Sequence, residues 1–303
     1  MLFDLKNITT GVAKGDFLLL AKSLTSIENK KEGVNSFLER LIPTNAPIIG
    51  ITGPPGAGKS TLISSLIGAW VNDGKKVAVL SVDPSSPFHQ GAILGDRIRM
   101  RDWYLNPHVF IRSLASRGHL GGLNSSMIEM TTLLQSAGFD YILVETVGVG
   151  QSEVEVAALA DTTVVVLVPE AGDEIQMMKA GLMEIADLFV VNKADRPDAA
   201  TFANHIQQMV MDNHTIHWSP IVLKTIATQN IGITELIAAI HAHQENLQTV
   251  QRKKKLMLNK AIQLIVADKI KSIDERLIEE KLTIALANSH FNIFEFVKQF
   301  FNA

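Results

Sequence analysis

The chain has 303 residues, 28 of them basic and 31 acidic, for a formal net charge of −3, and 47% are hydrophobic. That composition supports a sizeable core and excludes wholesale disorder, and without a basic excess it does not describe a general nucleic-acid binder, although a specific RNA site stays open. Cysteine is absent, so disulfides, thiolate zinc sites, iron–sulfur clusters and cysteine nucleophiles are excluded.

Residues 1–45 read as helical, with apolar positions in FLLLAKSL and VNSFLERLI and with Pro43 closing the segment. No basic start followed by a long apolar stretch is present, so a secretory signal is not expected. From Ala46 short β-rich runs alternate with longer helical patterns. Strands are predicted at 47–52, 77–82, 109–112, 141–145, 163–168, 188–192 and 221–224, with crossover helices such as 60–72 and 199–212 between them. Strands that are apolar almost throughout are buried on both faces, as in a parallel sheet covered by helices. Right-handed crossovers then predict a doubly wound, mostly parallel α/β core over residues 46–248.

Beyond Gln251 the pattern is helical to the end, through the basic run 252–255, IQLIVADKI and FEFVKQFF. Three regions are therefore expected: a helical 1–45, the core 46–248, and a helical 249–303 that caps the core or makes a dimer. The basic run reads as a solvated helix face. No apolar run reaches the roughly 20 residues of a membrane-spanning helix, so no membrane association is expected, and the cytoplasm is the expected location.

The strongest motif is Gly53-Pro54-Pro55-Gly56-Ala57-Gly58-Lys59-Ser60-Thr61, a G-x-x-x-x-G-K-[ST] loop that follows IIGIT and opens the helix LISSLIGAW. Its glycines let backbone N–H groups turn inward around phosphate oxygens, and the helix N-terminus adds partial positive charge. Lys59 is expected to reach the β- and γ-phosphates and Ser60 to offer its hydroxyl to Mg²⁺. A glycine-rich turn alone does not explain a lysine there.

Asn192-Lys193-Ala194-Asp195 ends an apolar strand far downstream and fits N-K-x-D, in which a carboxylate accepts two hydrogen bonds from guanine. Adenine lacks both donors and would leave a buried Asp195 carboxylate unpaired, a mismatch that discriminates strongly. GTP and GDP are therefore the expected ligands, not ATP. Glu145-Thr146-Val147-Gly148 stands where many GTPases have D-x-x-G, with Glu145 placed for Mg²⁺ and Gly148 for the γ-phosphate. Glu145 is one methylene longer than aspartate, so direct ligation and a water-mediated contact both remain open. Val149 occupies the place of the water-orienting glutamine of Ras-type GTPases, which predicts slow intrinsic hydrolysis, with Gln151 a candidate substitute. Asp83, ending the strand VAVLSV, and Asp96, in Gly95-Asp96-Arg97, complete a candidate metal shell. On the residues alone, Asp83 also suits a turn and Asp96 a solvated helix.

Together GPPGAGKST, VDPSSPF, GAILGDRIRM, SRGHLGG, ETVGVGQSEVEV, VPEAGDEIQMMKAG and VNKAD resemble the methylmalonyl-CoA mutase-associated GTPase (MeaB) family, within the SIMIBI class of P-loop GTPases. The motifs run from Gly53 to Asp195, with weaker similarity over residues 15–240. The resemblance implies a GTP-hydrolysing chaperone for an adenosylcobalamin-dependent acyl-CoA mutase, one that gates cofactor loading and protects the mutase. It also implies a homodimer whose hydrolysis rises when the partner binds. By motif position, Ser60, Asp83, Asp96 and Glu145 would surround Mg²⁺, with Lys59, Glu145 and Lys179 as the catalytic set. Asp83 and the Asp96 segment would form a first switch, residues 145–153 a second, and 169–181, carrying Lys179, a third that responds to the partner. A mobile cation brought to the γ-phosphate would stabilise developing charge as an arginine finger does.

Ile226, Ala227 and Thr228 are expected at the guanine, with the Ala227 N–H meeting its O6 atom. The family tends to read T-S-A where this chain has Thr225-Ile226-Ala227, so a serine hydroxyl is missing. Two other readings are weighed: a kinase acting on a periplasmic transport component, and a metal-insertion GTPase using His214, His217, His241 and His243. The histidines read more simply as surface or helix-end residues, because no His-rich stretch accompanies them.

Overall fold

A computed structural model describes residues 3–83, 100–115, 126–146, 156–169, 181–212 and 219–246, and in the C-terminal segment 254, 257–259, 261–262, 264–266, 269–270, 273–286, 291–298 and 300. The chain divides into two compact units, Met1–Lys253 and Lys254–Ala303.

In the first unit one sheet holds β1 (Ile48–Thr52), β2 (Val77–Asp83), β3 (Val109–Ala115), β4 (Tyr141–Thr146), β5 (Thr162–Leu167), β6 (Leu188–Val191) and β7 (Ile221–Lys224). Their spatial order is β3-β2-β4-β1-β5-β6-β7, and every neighbouring pair is parallel. This is the doubly wound α/β architecture that the apolar strands predict. The chain winds from β1 outward to β2 and β3, returns through β4, and leaves on the other side of β1 into β5. That reversal opens a crevice at the carboxyl ends of the central strands, where such sheets bind ligands.

Alternate strand residues serve opposite faces, as a period of two requires. Ala78, Leu80, Val82 and Val144 pack with Ile8 and Val12 of α1 (Leu5–Lys14), Leu24 of α2 (Leu18–Glu28) and Phe37 of α3 (Val34–Leu38). Ile49, Val77, Val79 and Leu143 pack on the other face with Leu62, Leu66 and Trp70 of α4 (Lys59–Asn72) and with Leu236 and Ile240 of the helix Ile233–Glu245. Fully burying one such aliphatic side chain contributes about 2 kcal/mol. A third cluster seats the helix Ala199–Asp212 on Val165, Leu167, Phe189 and Val191. The first 45 residues thus share the helical cover of one sheet face with the helix Met127–Ala137.

β3 runs three residues beyond the predicted 109–112. Arg112 ends the apolar pattern, yet its guanidinium is absorbed by α2: it donates to Glu28 Oε2 at 2.7 Å, to Ala21 O at 3.0 Å and to Thr25 Oγ1 at 3.1 Å. A charged residue on an edge strand can therefore sit under a helix. In the second unit, the helix Glu275–Leu286 buries none of its residues, while Phe296, in Ile293–Lys298, packs edge-on against Phe300 with ring centroids 5.3 Å apart.

Candidate functional site

The phosphate loop turns directly out of β1. Gly53 has φ 135°, and a side chain there would run into Val166 O of the neighbouring β5, so only glycine fits. Gly58, at φ 88°, stands against Asn192 Nδ2 and equally leaves no room for a Cβ. From Gly58 the chain enters α4 with no side-chain cap on its first turn, which leaves the first N–H groups to bind a ligand. Lys59 is buried and folds across the loop, its Nζ donating to Gly53 O at 2.7 Å and to Pro54 O at 3.0 Å. Pro55 and Gly56 are exposed, Ala57 is buried and Thr61 half-buried.

A second corner forms where α4 meets the ends of β2 and β4. Glu145 is only 5% exposed, and its Oε1 accepts the Ser60 hydroxyl at 2.7 Å while Oε2 accepts the Ser81 hydroxyl at 3.1 Å. One residue on, Thr146 Oγ1 donates to Thr52 Oγ1 at 2.9 Å, tying the end of β4 to the strand that feeds the phosphate loop. Asp83 closes β2 in register with Ala115 of β3; its side chain, like Asp96, Gly148, Val149, Gln151 and Lys179, lies outside the described residues. The gathered donors are two hydroxyls and a carboxylate, hard oxygens of the kind Mg²⁺ takes. No group of three His, Asp or Glu side chains able to hold a metal occurs among the described residues. Mg²⁺ does not need one, since it binds through one or two carboxylates with waters and phosphates completing its shell. The corner fits that ion.

The third corner is organised by Asn192, which is buried at the end of β6. Its Nδ2 donates to Ala57 O at 2.9 Å, and its Oδ1 accepts Thr225 Oγ1 at 3.0 Å and the Ala227 N–H at 3.2 Å. Phosphate loop, N-K-x-D segment and the loop after β7 are thus joined through one amide. Ser65 of α4 adds a bond to Ala227 O at 2.7 Å. Two observations bear on the base site. The Ala227 N–H, expected at guanine O6, donates to Asn192 Oδ1. Asp195, whose carboxylate is expected to be buried by guanine, is exposed in the turn that Lys193 opens at φ 55°. Ile226 bridges Ile231 through paired backbone bonds of 3.1 and 3.3 Å, which shapes the loop in which Ala227 is buried and Thr228 exposed.

The site therefore also contains residues to which sequence reading assigns no role: Thr52, Ser65, Ser81 and Thr146 as a hydroxyl, with Thr225 marked by its loop motif but not as a partner of Asn192. For Thr52, Ser81 and Thr146 the one legible signal is a hydroxyl toward the carboxyl end of an otherwise apolar strand, whereas Ser65, inside α4, carries none. Far from this crevice, His243 lies at a helix end, one of the two expected positions, but is only 1% exposed. It stands in the last turn of its helix with Nδ1 2.9 Å from Thr162 Oγ1 and Nε2 3.3 Å from Asp187 Oδ1. His241 lies 3.0 Å from the Tyr141 hydroxyl. Burial, with Asp140 and Asp73 nearby, pushes the Tyr141 pKa above its ordinary value. His214 and His217 fall outside the described residues.

Comparison with known proteins adds a lineage to this geometry. Residues 20–280 match the family model described as methylmalonyl-CoA mutase-associated GTPase MeaB. A putative GTPase of Pyrococcus abyssi is 44% identical over 284 residues, covering 92% of this chain and 86% of that protein. The mouse protein named methylmalonic aciduria type A homolog, mitochondrial, is 34% identical over 259 residues, covering 78% of this chain and 62% of its own length. Among solved structures, one described as LAO/AO transport system kinase superposes with a TM-score of 0.67 at 25% identity, over 97% of this chain and 95% of that one. With a P-loop, a guanine-type N-K-x-D segment joined to it through Asn192, and a match over most of its length, the chain belongs to the MeaB family of GTP-hydrolysing P-loop proteins.

Proposed function

We propose that the protein is a GTP-driven conformational switch serving an adenosylcobalamin-dependent acyl-CoA mutase such as methylmalonyl-CoA mutase, gating cofactor loading and protecting that enzyme. The observation that carries this reading is the joint at Glu145. One carboxylate at the threshold of the second switch is bonded to the phosphate-loop serine and to β2, so a change at the nucleotide is felt where the switch begins. The family name supports the choice of client.

In this reading the backbone of 53–58 and the first turn of α4 cradle the phosphates, and Lys59 leaves its two carbonyl partners for the β- and γ-oxygens. Ser60, Asp83, Asp96 and Glu145 would hold Mg²⁺, which supplies neutralisation of charge on the β- and γ-phosphates. Asp195 accepts the guanine N1 and N2 protons, while Asn192 holds the base loop against the phosphate loop. Gly148 reports the γ-phosphate, and Lys179, brought in by the partner, stabilises charge on the departing phosphoryl oxygens. With valine in place of a water-orienting glutamine, turnover alone is slow. Binding of GTP orders the switches and biases the partner complex; hydrolysis releases that bias.

A homodimer suits the C-terminal segment, where Met257, Leu258, Ile262, Ile265, Ile284 and Phe294 are all exposed. The proposed location is the cytoplasm, with neither nucleic acid nor membrane as partner; among the described residues no helix is long and apolar enough to cross a bilayer. His243 is committed to Thr162 and Asp187, which weighs against a metal-insertion role for the 241–243 pair.

The test is phosphate release from GTP, alone and with a purified adenosylcobalamin-dependent acyl-CoA mutase, with ATP as control and γ-labelled nucleotide to follow the label. Slow GTP hydrolysis that rises with the mutase is expected. Label transferred to protein instead of inorganic phosphate would favour the kinase reading, and no response to the mutase would remove it as client. Lys179→Ala should leave GTP binding unchanged and blunt the stimulated rate by on the order of 10³, the usual worth of such a cation.

A further inference from the structure

We propose that Ser81 is a positioning residue for the GTPase reaction, holding the Glu145 carboxylate so that Glu145 orients the Ser60 hydroxyl from a fixed place at the edge of the metal site. The inference rests on the magnesium-and-GTP reading of this corner.

Ser81 stands in β2, two residues before Asp83, inside a strand whose other members Val77, Val79, Leu80 and Val82 are apolar. The parallel ladder sets it opposite Glu145, and residues paired across neighbouring strands project to the same face. There the Ser81 hydroxyl, 1% exposed, donates to Oε2 while Ser60 donates to Oε1. Each carboxylate oxygen thus takes a hydroxyl from a different element, β2 on one side and α4 on the other.

The length of Glu145 gives this arrangement its purpose. Glutamate has one more side-chain torsion than the aspartate of D-x-x-G, so its carboxylate can sweep a wider arc. A second donor on Oε2 removes that freedom and lets the longer acid act as a fixed acceptor. The Ser60 O–H then points at Oε1, and the lone pairs of Ser60 Oγ stay available to a divalent cation. Groups behind a metal ligand orient it and raise its basicity in this way, and losing one typically costs 10- to 100-fold in metal affinity. Merely filling a buried strand position would not need a hydroxyl, because alanine fits the same space.

The experiment uses the full chain, wild type, Ser81→Ala and Ser81→Thr, each loaded with a fluorescent N-methylanthraniloyl GDP. Release of that nucleotide is followed while Mg²⁺ is titrated from an EDTA baseline, and melting temperatures are recorded without nucleotide. The Mg²⁺ concentration that half-maximally slows release should rise about tenfold in Ser81→Ala, at the low end of what a lost supporting group costs. Ser81→Thr, which keeps the hydroxyl, should restore the wild-type midpoint, and release in EDTA should be the same for all three. An unchanged midpoint in Ser81→Ala overturns the assignment. So does an equal change in EDTA, which would mark Ser81 as a support of the fold, and so does a threonine variant that melts normally but stays tenfold shifted. Wild-type release that ignores Mg²⁺ would instead overturn the reading of the corner as a magnesium site, separately from any effect of Ser81.

Discussion

Lys59 and Asp195 show how a single residue earns its role from where its neighbours leave it. The Lys59 ammonium already sits between two loop carbonyls, Gly53 O and Pro54 O, so it is held over the place phosphates occupy and little side-chain entropy remains to be lost on binding. Lys59→Ala should weaken GTP binding roughly 100-fold, the scale of a charge-assisted hydrogen bond with its Coulomb attraction, as read by calorimetric titration. Asp195 is exposed and becomes desolvated only against a base. Asp195→Asn should lower GTP affinity by roughly 10- to 100-fold, the loss of hydrogen bonds to a charged acceptor, with ATP affinity unchanged. Xanthosine triphosphate should recover affinity in that variant, because its C2 carbonyl accepts the amide donor that asparagine supplies. Equal losses for all three nucleotides would place Asp195 outside the base site.

At the scale of elements, the strands communicate through contacts that tolerate no added atom. Thr146 and Thr52 form a hydroxyl pair buried between β4 and β1. Thr146→Val should cost about 1–2 kcal/mol in urea unfolding by stranding one hydroxyl, while Thr52→Val with Thr146→Val should recover most of that loss, since removing both partners is nearly neutral. A double variant that simply sums two losses would show that each threonine matters for some other contact. Gly50, in the middle of β1, has no room for a Cβ because Val156 Cγ1 presses directly on it. Gly50→Ala should therefore destabilise by roughly 1–3 kcal/mol, the cost of overpacking a core, and pairing it with Val156→Ala should return part of that. Val156 is in this way indexed on the strand that launches the phosphate loop.

At the scale of the whole molecule, the two units differ in how much apolar surface each leaves exposed. The sheet unit covers both of its faces with helices, whereas the helix Glu275–Leu286 buries nothing within its own unit. Surface of that kind marks an association site. On the homodimer proposed above, Ile284→Glu with Phe294→Glu should give a monomer in light scattering while intrinsic GTP turnover stays as in wild type; a persisting dimer would move the interface elsewhere, and a monomeric wild type would remove the dimer.

What the sequence by itself determined is what depends on local pattern. The five inner strands were legible because a strand covered on both faces must be apolar along its length, the edge strands β3 and β7 by shorter apolar runs, and the turn from IIGIT into LISSLIGAW was legible because phosphate binding needs glycine at fixed steps followed by Lys59 and Ser60. N-K-x-D was legible for the same reason. Only the tertiary structure decided what depends on residues far apart in the chain: that Ser81 and Ser60 converge on Glu145, that Asn192 takes the Ala227 N–H, and that His243 is buried against Asp187. A lone serine in a strand or a histidine near a helix end carries no periodic signal, and its partner is chosen by sheet order and register. That order, β2 beside β4 and β4 beside β1, is set by burial of the whole core, and no single stretch of residues encodes it.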